Sequence, residues 1–146
     1  MTDIVFHFNV PDRLAYASRL AHQAFRREVK LTITASEGEL AELDDRLWSL
    51  APSDFVAHCR APQAHAALLA ASRIILCADP RLGLPEGVLL NLGAQLPTGF
   101  EQFQRVVEVV SLEEGDRVQA RLRWKQYADA GHAISRHDAA AGMGRR

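Results

Sequence analysis

The chain has 146 residues, 48% of them apolar and 24% charged, with a formal net charge of −1. That length and composition fit one globular domain whose core needs no disulfide or metal staple, and they exclude a disordered chain. No apolar run approaches the roughly 18 residues of a membrane span, and the near-neutral balance gives no bulk attraction to nucleic acid.

In chain order, short β-rich runs alternate with helical patterns. Residues 3–8, DIVFHF, alternate as a strand does, and 11–27 follow with Leu14, Ala17, Ala21, Ala24 and Phe25 at helical spacing. Asn9 or Asp12 stands where that helix begins. VKLTITA (29–35) reads as a second strand. Residues 36–50 then open with Ser36 and Glu39 in capping-box spacing and carry Leu40, Leu43, Leu47 and Leu50 on one face. A short strand is expected over 54–59 and a short helix over 62–71, followed by a buried strand over 72–78. Residues 79–87 hold two prolines and two glycines and read as a loop. Then come a buried strand at 88–92, a short helix at 100–104, a strand at 105–110 and a helix from Ser111 to about Ala130. The expected domain is residues 1–136, with a frayed tail over 137–146.

Strand–helix alternation with near-continuous apolar strands predicts an α/β fold: a mostly parallel, Rossmann-like sheet with helices on both faces. The turn after the first strand, NVPDRLAYAS, contains no glycine, and neither G-x-G-x-x-G nor G-x-x-x-x-G-K-[ST] occurs anywhere. A diphosphate needs that close backbone approach, so the fold is expected without a phosphate-binding loop. G-x-S-x-G and H-E-x-x-H are missing too, and the six histidines are scattered. Asp44–Asp45 and Glu113–Glu114 are sequence neighbours, which a helix cannot aim into one cleft. No catalytic group, cofactor or metal is expected. Cys59 and Cys77 read as two buried thiols. The opening MTDIVFHFNVPDR lacks the pattern of a secretory signal, so a cytoplasmic, non-membrane protein is expected.

Charge is distributed unevenly. Residues 1–116 carry 10 basic against 16 acidic side chains, whereas 117–146 carry 7 against 2. Within RVQARLRWKQYADAG, a helical period places Arg117, Arg121, Trp124, Lys125 and Ala128 within about 100° of one another. Val118 and Leu122 flank this stripe on one side, Ala120 and Tyr127 on the other. Gln119, Arg123 and Gln126 read as the solvent face, which turns the basic stripe toward the body of the protein. Cations beside an indole suit a ligand both anionic and apolar, such as an acidic peptide ending in an aromatic residue and a free carboxylate. The alternative is a row of long side chains snorkelling from a packed helix. Trp48 and Phe55, in LDDRLWSLAPSDFVAH, are either core residues or interface anchors.

Taken together, RLA–QAF in the first helix, LDDRLWSLAPSDFVAH, VLLNLG, FQRVVEVV and ARLRWKQYADAG resemble the chi subunit of the bacterial DNA polymerase III holoenzyme over nearly the whole chain. The most specific blocks are LD-x-x-LW…F-x-x-H and AR-x-R-[aromatic]-K-x-Y-x-x-x-G. The resemblance implies a Rossmann-like domain without enzymatic activity. It further implies pairing with the psi subunit, which joins chi to the clamp loader, and binding of the acidic C-terminal tail of single-stranded-DNA-binding protein. DNA association would then be indirect. By position, tail binding falls on Arg117, Arg121 and Lys125 with Trp124 as the central aromatic, where the family commonly has tyrosine; psi binding falls on Trp48 and Phe55. The competing reading is a direct single-stranded nucleic-acid binder that uses the basic, aromatic helix as its stacking surface.

Overall fold

The computed structural model describes residues 2–48, 58–61 and 73–140. Among the described residues, seven strands form one all-parallel sheet in the order β3-β4-β2-β5-β6-β1-β7. They are β1 (Asp3–Val10), β2 (Leu31–Thr34), β3 (Cys59–Ala61), β4 (Ile74–Cys77), β5 (Val88–Asn91), β6 (Arg105–Ser111) and β7 (Ile134–Asp138). Three α-helices are described: α1 (Arg13–Arg26), α2 (Glu37–Trp48) and α3 (Glu114–Asp129). The predicted α/β architecture with helices on both faces is the one observed.

Each strand divides its side chains between the two faces because successive residues point to opposite sides. Val107 and Val109 of β6 join Ile33, Leu76 and Leu90 beneath Ala17 and Ala21 of α1 and Leu40, Leu43 and Leu47 of α2. Val106 and Val110 join Ile4, Phe6 and Leu89 against Ala120 and Tyr127 of α3. Strands buried from both sides are continuous apolar runs for this reason, as in the fully buried Ile74–Cys77.

Local chemistry sets the helix starts. Asp12 caps α1, its side chain accepting from the Ala15 N–H at 3.1 Å. Ser36 Oγ accepts from the Glu39 N–H at 3.3 Å, but the Glu39 carboxylate receives the Ser36 hydroxyl (3.2 Å) and pairs with Arg13 (3.1 Å) instead of closing a full capping box. The expected helix at 100–104 is a short 3-10 turn, Phe100–Gln102, and Ser111 belongs to β6 rather than to α3. The helix expected over 62–71, most of the strand expected over 54–59, and Leu50 lie outside the described residues. Cys59 and Cys77 are both buried and not joined in a disulfide, as expected.

Sequence patterning did not reveal β7. It pairs in parallel with β1, Ile4 opposite Ile134 and Phe6 opposite Arg136, and makes one edge of the sheet. The expected domain boundary after residue 136 falls inside this strand, and Ala139 beyond it is buried in the α1–α2 core.

An arginine-lined cleft between helix α3 and the sheet edge

At its carboxyl end β1 breaks register with β6 between His7 and Val10. Asn9 sits in that irregularity with φ of +61°, a left-handed conformation that asparagine tolerates better than most residues. Its amide donates to Asp138 of β7 at 3.2 Å, and its carbonyl oxygen accepts from Arg117 Nη2 of α3 at 3.0 Å. One side chain thus ties the sheet edge to the helix.

Between these elements lies a cleft of about 480 Å³. Phe6, Phe8 and Asn9 of β1 and Val110 of β6 line it from the sheet, Arg117, Ala120, Arg121 and Trp124 from α3, and Arg136 from β7. The helix residues recur at i, i+3, i+4 and i+7, the spacing that keeps side chains on one side of a helix. The Trp124 ring lies 5.0 Å from Phe6, tilted by 44°, and the Arg136 guanidinium lies 5.6 Å from the centre of the Phe8 ring. Arg121 approaches Glu114 at 3.5 Å, but both side chains are mostly exposed, so a ligand can displace this pair at a cost below about 1 kcal/mol. The cleft opens beside the carboxyl ends of β1 and β6, where ligands generally bind on parallel α/β sheets.

Arg117, Arg121 and Trp124 are therefore brought together as the sequence suggested, while exposed Lys125 lies outside the lining residues. Arg136, Phe6, Phe8 and Asn9 join them unforeseen. Alternation in DIVFHF did predict that Phe6 and Phe8 share a face, but nothing in the sequence placed that face under α3.

Arg123 corrects the helix reading. It was expected to face solvent, yet it is 1% exposed. Its Nε donates to Glu108 of β6 at 2.9 Å and its Nη1 to the Ala94 carbonyl at 2.8 Å. Fully buried Glu108 also accepts from Tyr127 Oη (2.7 Å) and from Asn91 Nδ2 (2.9 and 3.1 Å). Burial pushes the Glu108 carboxyl upward, while Arg123 and the hydrogen bonds pull it back; every contact is donated to the carboxylate, so the ionised form is the one this site holds. The signal in the sequence was the lone glutamate in RVVEVV, which calls for a buried counter-charge. Val118 and Leu122 are exposed at 42% and 54%, so the body of the protein meets α3 roughly a quarter turn from the expected side.

Trp48 ends α2, on the sheet face opposite α3, and is 59% exposed. Its ring lies 5.3 Å from His58, whose Nε2 meets Asp44 at 2.6 Å. Phe55 lies outside the described residues. Among the described residues no group of His, Cys, Asp or Glu could hold a metal ion, and no helix is long and apolar enough to cross a membrane.

Fold and cleft together define a parallel-sheet α/β domain whose cleft is built of guanidinium groups and aromatic rings, on strands that lack a phosphate loop. Residues 1–135 match the family model for the DNA polymerase III chi subunit, HolC. The DNA polymerase III subunit chi of Pseudomonas aeruginosa is 32% identical over 130 residues, covering 86% of this chain and 85% of that protein. Its counterpart in Haemophilus influenzae is 28% identical over 120 residues, 82% of each. The chain belongs to the DNA polymerase III chi subunit family, and its role is that of an accessory subunit in DNA replication.

Proposed function

We propose that this subunit is a non-catalytic, cytoplasmic adaptor. Its arginine-lined cleft receives the acidic C-terminal tail of single-stranded-DNA-binding protein, while Trp48 on its opposite face, together with Phe55, joins psi and hence the clamp loader. The observation that carries the reading is the cleft itself: Arg117 and Arg121 stand one helical turn apart beside Trp124, over a floor of Phe6, Phe8 and Val110. A terminal carboxylate takes paired hydrogen bonds from a guanidinium, and a terminal aromatic side chain buries its ring on that floor. Lys125, exposed on the same helix, adds positive charge that attracts an acidic peptide. The exposed Trp48 on the far side leaves psi and the tail able to bind together.

Isothermal titration with a short acidic peptide ending in phenylalanine tests the reading. Arg121→Ala is expected to lose roughly 10- to 150-fold in affinity, the cost of one charge-assisted contact. Arg26→Ala removes an exposed cation from α1 on the opposite face and should bind as the parent does. Equal losses in the two variants would mean that diffuse charge does the holding. Tight oligonucleotide binding without peptide binding would favour the direct nucleic-acid reading instead.

A further inference from the structure

Arg136 lies outside every block that carries the family resemblance, and it reaches the cleft only because β7 pairs with β1. Parallel register sets it opposite Phe6, and its guanidinium lies 5.6 Å above the ring of Phe8. Across the cleft, Phe6 meets Trp124 at 5.0 Å, and Arg117 and Arg121 follow on the same side of α3. The cleft therefore gathers guanidinium groups from two elements, β7 and α3, around phenylalanine and indole rings. Arg136 thus reaches the cleft from β7, while Arg117 and Arg121 reach it from α3. Arg117 is held by Asn9 on the helix side, and Arg136 is braced by Phe8 on the other.

We infer that Arg136 is a specificity-determining residue that takes a second, separate anion: a side-chain carboxylate of the ligand, one or more residues before the terminal carboxylate held from α3. The inference rests on the peptide-binding reading above and narrows its ligand to a dianionic chain end, with an aromatic or aliphatic group seated between the two charges. A cation braced against an aromatic face loses less side-chain freedom on binding than a free one, which favours a defined contact over diffuse attraction. Arg136 is exposed and its backbone belongs to an edge strand, so its side chain is replaceable without opening the core.

The test is isothermal titration of the full chain and its Arg136→Ala, Arg136→Lys and Arg121→Ala variants with three peptides. The first is acidic and phenylalanine-terminated, the second has its aspartates changed to asparagine, and the third is acidic with an amidated C-terminus. Arg136→Ala should weaken the first peptide roughly 3- to 15-fold, between an exposed ion pair and a full charge-assisted bond. That loss should vanish with the asparagine peptide and persist with the amidated one; Arg121→Ala should show the reverse pattern. Arg136→Lys should restore part of the affinity. Parent-like binding by Arg136→Ala, or one loss common to all three peptides, overturns the inference while leaving the cleft assignment standing. Failure of the unmodified protein to bind the first peptide overturns both.

Discussion

Replacing Arg123 by alanine removes the one cation that meets Glu108 among the described residues. Glu108 would be left fully buried, with Tyr127 and Asn91 still donating to it but no positive charge within its contacts. Breaking a buried ion pair from one side costs about 3–5 kcal/mol, and the two surviving donors put the expected value near the lower end. Against a total stability of about 5–15 kcal/mol this is a large share, and near 3 °C per kcal/mol it lowers the melting temperature by about 10 °C. Arg121→Ala, whose side chain is 67% exposed, should stay within about 0.5 kcal/mol of the parent. The deficit has a pH signature. Burial already raises the Glu108 carboxyl, and without Arg123 it rises further. A carboxyl with a raised folded pKa contributes its stability below the ordinary glutamate range near 4.3 and loses it as pH rises through the folded value. The gap between variant and parent should therefore be smallest in acid and widen toward neutrality. Thermal denaturation monitored by circular dichroism across pH measures both effects. A melting temperature within about 2 °C of the parent at pH 7 would refute the view that Arg123 is a structural counter-ion.

Trp48→Ala should keep the fold, because the ring is 59% exposed, yet weaken psi binding by about 2 kcal/mol, roughly 30-fold; parent-like retention on immobilised psi would remove that face from the interface. His7 is held down to about 4, first by burial and then by His137 and Arg105, against an ordinary value of 6.5. Between those values the unfolded chain takes up a proton that the folded one refuses, so stability should fall as pH drops from 6.5 to 4. Allowing for the partial exposure of the ring, the loss is about 1–2 kcal/mol. Urea denaturation of His7→Gln should show a shallower pH slope over that window, and an unchanged slope would count against the assignment.

The interior of the sheet was legible because its chemistry is one-sided: IILC, VLLN and RVVEVV are apolar on both faces and suit only a doubly covered strand. The edge was not. ISRHD has one apolar residue and exposes its middle three, so nothing local distinguishes β7 from a loop; its pairing with a strand about 130 residues earlier makes it a strand. The cleft divides in the same way. Arg117, Arg121 and Trp124 share a helix and were found by spacing, whereas Arg136 and Phe8 are neighbours only through topology. The rotation of α3 was misjudged because apolarity does not mark its inner side. Val118 and Leu122 are exposed while Arg123 is buried, an exchange that only a partner on another element explains.

The place of β1 in the sheet has a consequence for how the protein is made. It lies between β6 and β7, and neither exists until residues 105–138 have been synthesised. At about 5–20 residues per second, β1 leaves the ribosome roughly 5–20 s before its first strand partner. Through that interval Ile4, Phe6 and Phe8 present an unpaired, apolar ribbon, the kind of surface that chaperones retain and that misfolded assemblies recruit. The same strand that floors the cleft is thus the last part of the sheet to be sealed, and a nascent chain stalled before residue 134 would carry the floor without its outer wall.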